Sequence, residues 1–309
     1  ALGSGPIVTV RPDIPGDETG FDRVLGFTLP DRNARGRLVR LGPVLDTILS
    51  AHEYAPPIRH LLAEALALTA LLGSLLKQGE GQLTMQAQTQ RGVIDLLVCD
   101  YKGGELRGYV RHDADKLARL GANPSLYALF GQGYLAITFD LAATGERYQG
   151  IVPLEGDSLS QACEAYFAQS EQVPTLIRTA VQWDGRHCIA GGLLAQHLAE
   201  GEEGRMRLHV RMDHPEWEHV TVLAGSVRHD ELADPGLSLE ALAWRLFGRE
   251  DEIRVQKLAG VSRGCRCTEA HYRAVLAKFP EEDRADMRDA EGLVTIDCAF
   301  CSKIFRIAA

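Results

Sequence analysis

Several short segments in the first two thirds of the chain have the apolar and polar pattern of β-strands. In "QLTMQAQ" the residues Leu83, Met85 and Ala87 fall on one side, which is typical of a strand with one buried face. Four further segments also predict strands: "VIDLLVCD", "LRGYVRHD", "YLAITFDL" and "YQGIVPL". Because these strands mostly follow one another instead of alternating with helices, we predict an α+β core domain.

Helical periodicity appears in "LGPVLDTILSAHEY" and in the Leu-rich segment after it. The apolar run of that second segment is too short to span a membrane, so we expect a buried core helix. A later helix begins at Ser158, which forms the pattern of a capping box with Gln161. The apolar residues of this helix share one face: Leu159, Ala162, Cys163, Tyr166 and Phe167.

A polar, glycine-containing segment, "AEGEEGRMR", starts at Ala199 and predicts a linker. Two helical stretches follow it, "PEWEHVTVLAGSVRHDEL" and "SLEALAWRLF". Ser238 is the expected N-cap of the second helix and Gly248 its end. That helix has an apolar stripe made of Leu239, Leu242, Ala243, Leu246 and Phe247. Neither stretch is large enough to form a core, so we expect both to dock on another part of the protein.

The composition excludes some classes of protein. A chain of 309 residues suits two or three domains, and 45% apolar with 24% charged residues is typical of a soluble globular protein. The net charge of −9 argues against a general nucleic-acid binder, which should present a basic face. No N-terminal segment has the pattern of a signal peptide, so we expect a cytoplasmic protein without a membrane partner.

No arrangement of residues typical of catalysis is found. The sequence contains no P-loop lysine motif and no H-E-x-x-H, so we do not expect an enzyme. Cys99 and Cys163 lie on apolar segments and are expected in the core. Cys188 and the adjacent His187 would point to opposite faces of a strand. A spacing of five residues also argues against a metal site on one helix face formed by His209, His214 and His219.

Four of the seven cysteines lie in the last fifty residues as two close pairs. Cys265 and Cys267 form C-x-C, and Cys298 and Cys301 form C-x-x-C after thirty intervening residues. In the cytosol thiols stay reduced, so paired cysteines indicate metal or redox chemistry before structural disulfides. Four thiolates satisfy a tetrahedral zinc ion, and we predict one Zn²⁺ held by these four residues. His271 could replace one ligand, but four cysteines make it redundant.

The sequence around the cysteines predicts a small module. "VTIDCAFCSKIFRI" indicates two short strands around a cysteine knuckle, and Thr268 and Pro280 are expected to start helices between the pairs. A module of about fifty residues has little core of its own. Structural zinc contributes about 10–16 kcal/mol of apparent binding energy, so we expect the module to unfold if the thiolates are oxidised and can no longer bind the metal.

The chain resembles the redox-regulated holdase chaperone family called heat-shock protein 33. The resemblance lies in "CRC…CAFC", in "GERYQGIVPLEGDSLSQACEAYFAQSEQVPT", in "AGGLLAQHL" and in "LAWRLFGREDEIRV". It extends over nearly everything from Phe21 onward, and only loosely over residues 199–230.

The resemblance implies a stress-response chaperone with three parts. These are an α+β core (residues 1–196), a metastable helical linker (197–254) and a zinc-binding redox switch (255–309). In the family, the reduced, zinc-bound form is inactive and monomeric. Hypochlorite, or peroxide with heat, forms two disulfides and releases zinc. The linker then unfolds, and a form that is usually dimeric binds unfolding client proteins without ATP.

Two other classes of protein remain open at this point. One is a binding module with purely structural zinc and a translation-associated or nucleic-acid partner, which the acidic balance argues against. The other is a thiol oxidoreductase that uses "CAFC", which the absence of a thioredoxin-like βαβ pattern argues against. The client-binding residues are not indicated by any motif.

Overall fold

The computed structural model describes residues 8–9, 20–77, 81–198 and 214–308. The strands in this part of the chain are β1 (Val8–Thr9), β2 (Arg23–Leu29), β3 (Ala34–Leu41), β4 (Gly81–Gln88), β5 (Ile94–Lys102), β6 (Glu105–His112), β7 (Tyr134–Leu141), β8 (Glu146–Pro153), β9 (Thr175–Trp183), β10 (Cys188–His197), β11 (Arg254–Lys257), β12 (Ser262–Arg263), β13 (Leu293–Asp297) and β14 (Ile304–Ala308). The helices there are α1 (Pro43–Leu49), α2 (Pro56–Gly73), α3 (Ala114–Ala118), α4 (Leu126–Phe130), α5 (Leu159–Tyr166), α6 (Pro215–Gly225), α7 (His229–Ala233), α8 (Leu239–Phe247), α9 (Glu269–Leu276) and α10 (Glu281–Met287).

Two six-stranded sheets form the body of the protein, and the five strand segments predicted for the core all lie in the second of them. The first sheet has the order β1-β11-β2-β3-β10-β9 and the second has the order β12-β6-β5-β4-β7-β8. Neighbouring strands are antiparallel except for the short pair β12–β6. Sheets and separate helices together confirm the predicted α+β class.

Helix α2 lies between the two sheets and contacts strands of both. It begins with two prolines, which suit the first turn of a helix because that turn needs no N–H donor. Nearly all of its residues from Ile58 to Gly73 are buried. A helix that is apolar all round belongs in a core, as the sequence predicted for this segment. None of the described helices is both long and apolar enough to cross a membrane.

The first sheet is buried on both faces. Residues that alternate along β3 belong to different cores: Val39 and Leu41 face α2, whereas Ala34 and Leu38 face the other side. On that outer side the sheet is covered by α6, α7 and α8. Double burial explains why β10, "CIAGGLLAQH", has no polar face along most of its length.

The covering helices follow the predicted limits only in part. Ser238 caps α8 by accepting a hydrogen bond from the backbone N–H of Ala241, and the whole predicted stripe of α8 is buried. "PEWEHVTVLAGSVRHDEL" was predicted as one helical stretch but forms two helices, because the chain leaves the helical path at Ser226 and restarts after Arg228. The linker predicted from Ala199 lies outside the described residues.

The capping box predicted at the start of α5 is only half formed. The Ser158 hydroxyl accepts a hydrogen bond from the Gln161 N–H at 3.3 Å, as expected. The Gln161 side chain accepts instead from the backbone N–H of Asp157 at 2.7 Å. The predicted apolar face of the helix is buried throughout.

The C-terminal residues form a small module with a core of four buried side chains: Leu276, Val294, Phe305 and Ile307. Strands β13 and β14 pair antiparallel, and Thr268 caps α9 through the N–H of His271. Before the module, β11 pairs with β2 in the first sheet and β12 lies beside β6 in the second. Residues 254–263 therefore contact both core sheets before the first cysteine.

Candidate metal centre

The second cysteine pair lies on the turn between β13 and β14. The N–H of Cys298 donates to the carbonyl of Lys303 at 2.9 Å, and the N–H of Ser302 donates to the carbonyl of Cys298 at 2.7 Å. Ser302 has a positive φ of 59°, which closes the turn. Cys298 and Cys301 are thereby held on one side of a knuckle, as the sequence predicted.

The first cysteine pair follows β12 directly. The N–H of Gly264 donates to the carbonyl of Leu106 at 2.9 Å, so the backbone beside Cys265 is fixed on β6. A side chain at Gly264 would overlap Glu105, and glycine permits this close approach of the two backbones. The C-x-C arm thus extends from the core toward the knuckle.

The two pairs bring four sulfur atoms into one cluster. Cys265 Sγ lies 3.2 Å from Cys267 Sγ and 3.5 Å from Cys298 Sγ, and Cys267 Sγ lies 3.3 Å from Cys301 Sγ. All four sulfurs lie within 4.8 Å of one another, and none forms a disulfide. Sulfurs bound about 2.3 Å from a central zinc are about 3.8 Å apart, so the donor set and its dimensions fit a tetrahedral zinc ion.

The electrostatics of the cluster favour a bound cation. Burial and the neighbouring thiols raise the pKa of Cys267, and burial also raises that of Cys265. Burial acts in the same direction on Cys298, but hydrogen bonds from the Cys301 backbone N–H and the Tyr272 side chain outweigh it and lower its pKa to about 6. Four thiolates at these distances repel one another, and a divalent cation compensates this repulsion.

The other candidate residues lie away from the cluster. Cys99, Cys163 and Cys188 are buried in the core. His187 is exposed and contacts Asp46, whereas the neighbouring Cys188 is buried, in agreement with the predicted opposite faces. His271 is not part of the sulfur cluster. His214 caps α6 and His219 contacts Glu250, and His209 is outside the described residues.

A family model described as "Hsp33 protein" matches residues 22–308, which is nearly the whole chain. The chain belongs to the Hsp33 family. This agrees with the resemblance found in the sequence.

Relatives named "33 kDa chaperonin" match almost end to end. The protein from Caulobacter vibrioides is 39% identical over 294 residues, covering 93% of this chain and 94% of the relative. The one from Vibrio cholerae is 31% identical and covers 90% of each chain. The crystal structure of the 33 kDa chaperonin of Thermotoga maritima has a TM-score of 0.76 at 22% identity, with 93% and 94% coverage, and shows that the fold is shared. Family and relatives together support a chaperone.

In this Hsp33 family member, the helices that cover the first sheet are held partly by charged side chains that no motif indicated. Arg32 lies 2.8 Å from Glu216 on α6 and 2.7 Å from Glu250, and Arg23 lies 2.8 Å from Glu240 on α8. Each contact joins residues about 180 to 220 positions apart in sequence. Only the tertiary structure brings such pairs together.

Arg40 makes a second set of contacts with the covering helices that the sequence does not indicate. Its side chain is fully buried and donates hydrogen bonds to the carbonyls of Glu231 at 2.9 Å, Leu232 at 3.1 Å and Leu237. These carbonyls belong to the end of α7 and the turn after it. Burial lowers the pKa of Arg40 to about 10, so the guanidinium remains charged at neutral pH.

Proposed function

We propose that this protein is a redox-regulated, ATP-independent holdase that binds unfolding proteins under oxidative stress. The observation that carries the proposal is the cluster of four cysteine sulfurs in a module whose own core has four buried side chains. Such a module depends on its metal for stability. The chemistry that removes the metal therefore controls whether the module stays folded.

Cys265, Cys267, Cys298 and Cys301 are the residues that would hold one Zn²⁺. When bound, zinc ties the C-x-C arm to the knuckle. Hypochlorite takes two electrons from each cysteine pair and is reduced to chloride, so two equivalents form the bonds Cys265–Cys267 and Cys298–Cys301. A disulfide sulfur has no thiolate charge, and the four residues then no longer bind the metal.

Loss of the module would act on the helices that cover the first sheet. Ile253 and Val255 belong to the same apolar cluster as α6, α7 and α8, and β11 is separated from Cys265 by seven residues. Release of this segment would remove Ile253 and Val255 from the apolar cluster and so weaken the packing of α6, α7 and α8 on the first sheet. The outer face of the first sheet, with Leu25, Phe27 and Leu38, is then available to apolar segments of a client.

The remaining features of the proposal follow from the family. The protein is a cytoplasmic monomer when reduced and a homodimer when oxidised, and its partners are unfolding proteins and not nucleic acids. It performs no catalysis. The contact surface for clients is the apolar face that α6, α7 and α8 cover in the reduced state.

The test measures zinc, disulfides and client aggregation in one sample. We expect the reduced protein to contain one zinc per chain and to leave a heat-denatured client unprotected. After hypochlorite treatment, zinc should appear on a chromogenic chelator, two disulfides should form, and the client should stay in solution without nucleotide. A Cys298→Ser/Cys301→Ser variant should bind no zinc, whereas a Cys188→Ala variant should retain it.

Three outcomes would contradict the proposal. Equal protection of the client by the reduced and the oxidised wild-type protein would show that oxidation does not control client binding. Zinc that stays bound under hypochlorite would favour a purely structural role for the metal. The protein would then be a binding module with a different kind of partner. Repeated reduction and oxidation of a dithiol substrate by "CAFC" would instead support a thiol oxidoreductase.

A further inference from the structure

One residue from inside each cysteine pair contacts the same place on the core. Arg266, between Cys265 and Cys267, places its guanidinium 3.0 Å from the carboxylate of Asp100. Phe300, between Cys298 and Cys301, lies under the guanidinium of Arg107, whose central carbon is 3.8 Å from the ring centre. The two arms of the metal site are thus anchored side by side on the second sheet.

The receiving residues form a continuous site, which we call the docking patch and define as Asp100, Arg107 and Tyr109. Asp100 on β5 is paired in register with Arg107 on β6, and their side chains are 2.7 Å apart. Tyr109, two residues after Arg107 and therefore on the same face, meets the Phe300 ring edge-on at 5.0 Å. Asp100 is buried, and its carboxylate contacts both Arg107 and Arg266.

Hydrogen bonds outside the docking patch also hold both arms on the core. The C-x-C arm is fixed on β6 by the hydrogen bond from Gly264 to Leu106 described above. The knuckle is held by His52, whose ring nitrogens lie 3.3 Å from the carbonyl oxygen of Phe300 and 3.2 Å from the hydroxyl of Ser302. Both arms therefore contact the core through residues other than the four cysteines.

We propose that Arg266 and Phe300 are positioning residues that use the docking patch to set the distance between the two cysteine pairs. Thirty residues separate Cys267 from Cys298, and the module between them has a small core. Fixing both arms on one rigid sheet removes freedom that metal binding would otherwise have to remove, and preorganisation of this kind strengthens binding. The core thereby slows zinc release from the four thiolates. This inference rests on the zinc site of the proposed function.

The test follows transfer of zinc from the reduced, zinc-loaded full chain to a chromogenic chelator, without oxidant and without client. We expect Arg266→Gln to release zinc roughly tenfold faster, the effect typical of losing a charge-assisted hydrogen bond to a buried carboxylate. Because Arg266 acts through Asp100, adding Arg266→Gln to Asp100→Asn should cause no further increase. Phe300→Leu should also accelerate release, whereas Phe300→Tyr, which keeps the aromatic face, should behave as the wild type.

Two variants of the same module serve as matched controls. Arg273→Gln removes an exposed ion pair with Glu269, and Phe279→Leu changes an exposed aromatic residue outside the docking patch. Both should release zinc at the wild-type rate. Thermal unfolding of the full chain after removal of zinc should be the same for Arg266→Gln, Phe300→Leu and the wild type, which separates positioning from general loss of stability.

The inference is overturned if Arg266→Gln and Phe300→Leu release zinc at the wild-type rate, or if the effects of Arg266→Gln and Asp100→Asn multiply. These results leave the proposed function intact, because the assay contains neither oxidant nor client. A wild-type chain that binds no zinc would overturn both. Zinc release at the wild-type rate in every variant would contradict this inference. Failure of the oxidised protein to protect clients, measured separately, would contradict the proposed function.

Discussion

Two neighbouring residues on the first sheet decide how closely α7 can approach. Gly191 on β10 is paired in register with Arg40 on β3, and both face the backbone of Leu232. A side chain at Gly191 would overlap the carbonyl of Leu232, while Arg40 donates a hydrogen bond to the same carbonyl. Gly191, which has no side chain, and Arg40, which donates a hydrogen bond, together form the contact site for α7. We call this pair of residues the seat.

We predict that Gly191→Ala weakens the cover of the first sheet in the reduced protein. The added methyl group would displace a backbone carbonyl, and overpacking of this kind typically costs about 1–3 kcal/mol. Binding of a hydrophobic dye and suppression of client aggregation should both rise without oxidant, with zinc still bound. Gly121→Ala is the control, because a side chain there meets nothing within 4 Å. Unchanged dye binding in Gly191→Ala would contradict the seat described here.

At the scale of elements, the covering helices are short and rely on the sheet beneath them. α6 has 11 residues, α7 has 5 and α8 has 9. Isolated helices below about 12–15 residues are marginal in water, so their order comes from tertiary packing. Trp217, Val220, Leu242 and Phe247 bury their side chains in the shared cluster. A cover built this way is stable when docked and disordered when released.

We predict that hydrogen exchange distinguishes the two redox states within residues 215–247. The backbone amides of α6, α7 and α8 should be protected in the reduced protein, because the helices are docked. After hypochlorite treatment they should exchange at nearly the rate of an unfolded chain, whereas α2, which is buried between the sheets, should remain protected and serves as the internal reference. Equal protection of the covering helices in both states would exclude their release.

At the scale of the whole molecule, the two cysteine pairs are not equivalent. Cys298 and Cys301 lie on a knuckle between strands and can close a disulfide in a longer ring than Cys265 and Cys267, which are separated by one residue. Disulfide geometry tolerates little distortion, and strained bonds are more easily reduced. Oxidation of the four cysteines, as proposed, would therefore have two steps with different chemistry.

We predict that the Cys298–Cys301 bond forms first and is reduced last. The measurement is mass-spectrometric mapping of disulfides during stepwise addition of hypochlorite, followed by stepwise addition of a thiol reductant. A Cys298→Ser/Cys301→Ser variant shows whether the other pair oxidises by itself. If the Cys265–Cys267 disulfide appears before the Cys298–Cys301 disulfide, the predicted order is wrong.

Much of the fold follows from local patterns. The strands β4 to β8, the buried helix α2 and the N-caps Ser158, Ser238 and Thr268 were each predictable, because alternation, continuous apolar runs and capping depend on nearby residues. The break between α6 and α7 was missed, although it has local signals: α6 ends at Gly225, and the N–H of Arg228 donates to the Glu231 carboxylate at the start of α7. The family itself was recognisable from the cysteine spacing and its neighbouring segments.

The cysteine spacing alone is sufficient to predict which residues form the sulfur cluster, because four cysteines in two close pairs have few other chemical uses in one small module. How this cluster is connected to the rest of the protein depends instead on contacts between residues that are distant in the chain. Arg40, Arg32, Asp100 and Phe300 have no local signal, since each acts on partners far away in the chain. A charged or aromatic side chain acquires such a role when folding buries it beside a distant partner, and this depends on the packing of whole sheets.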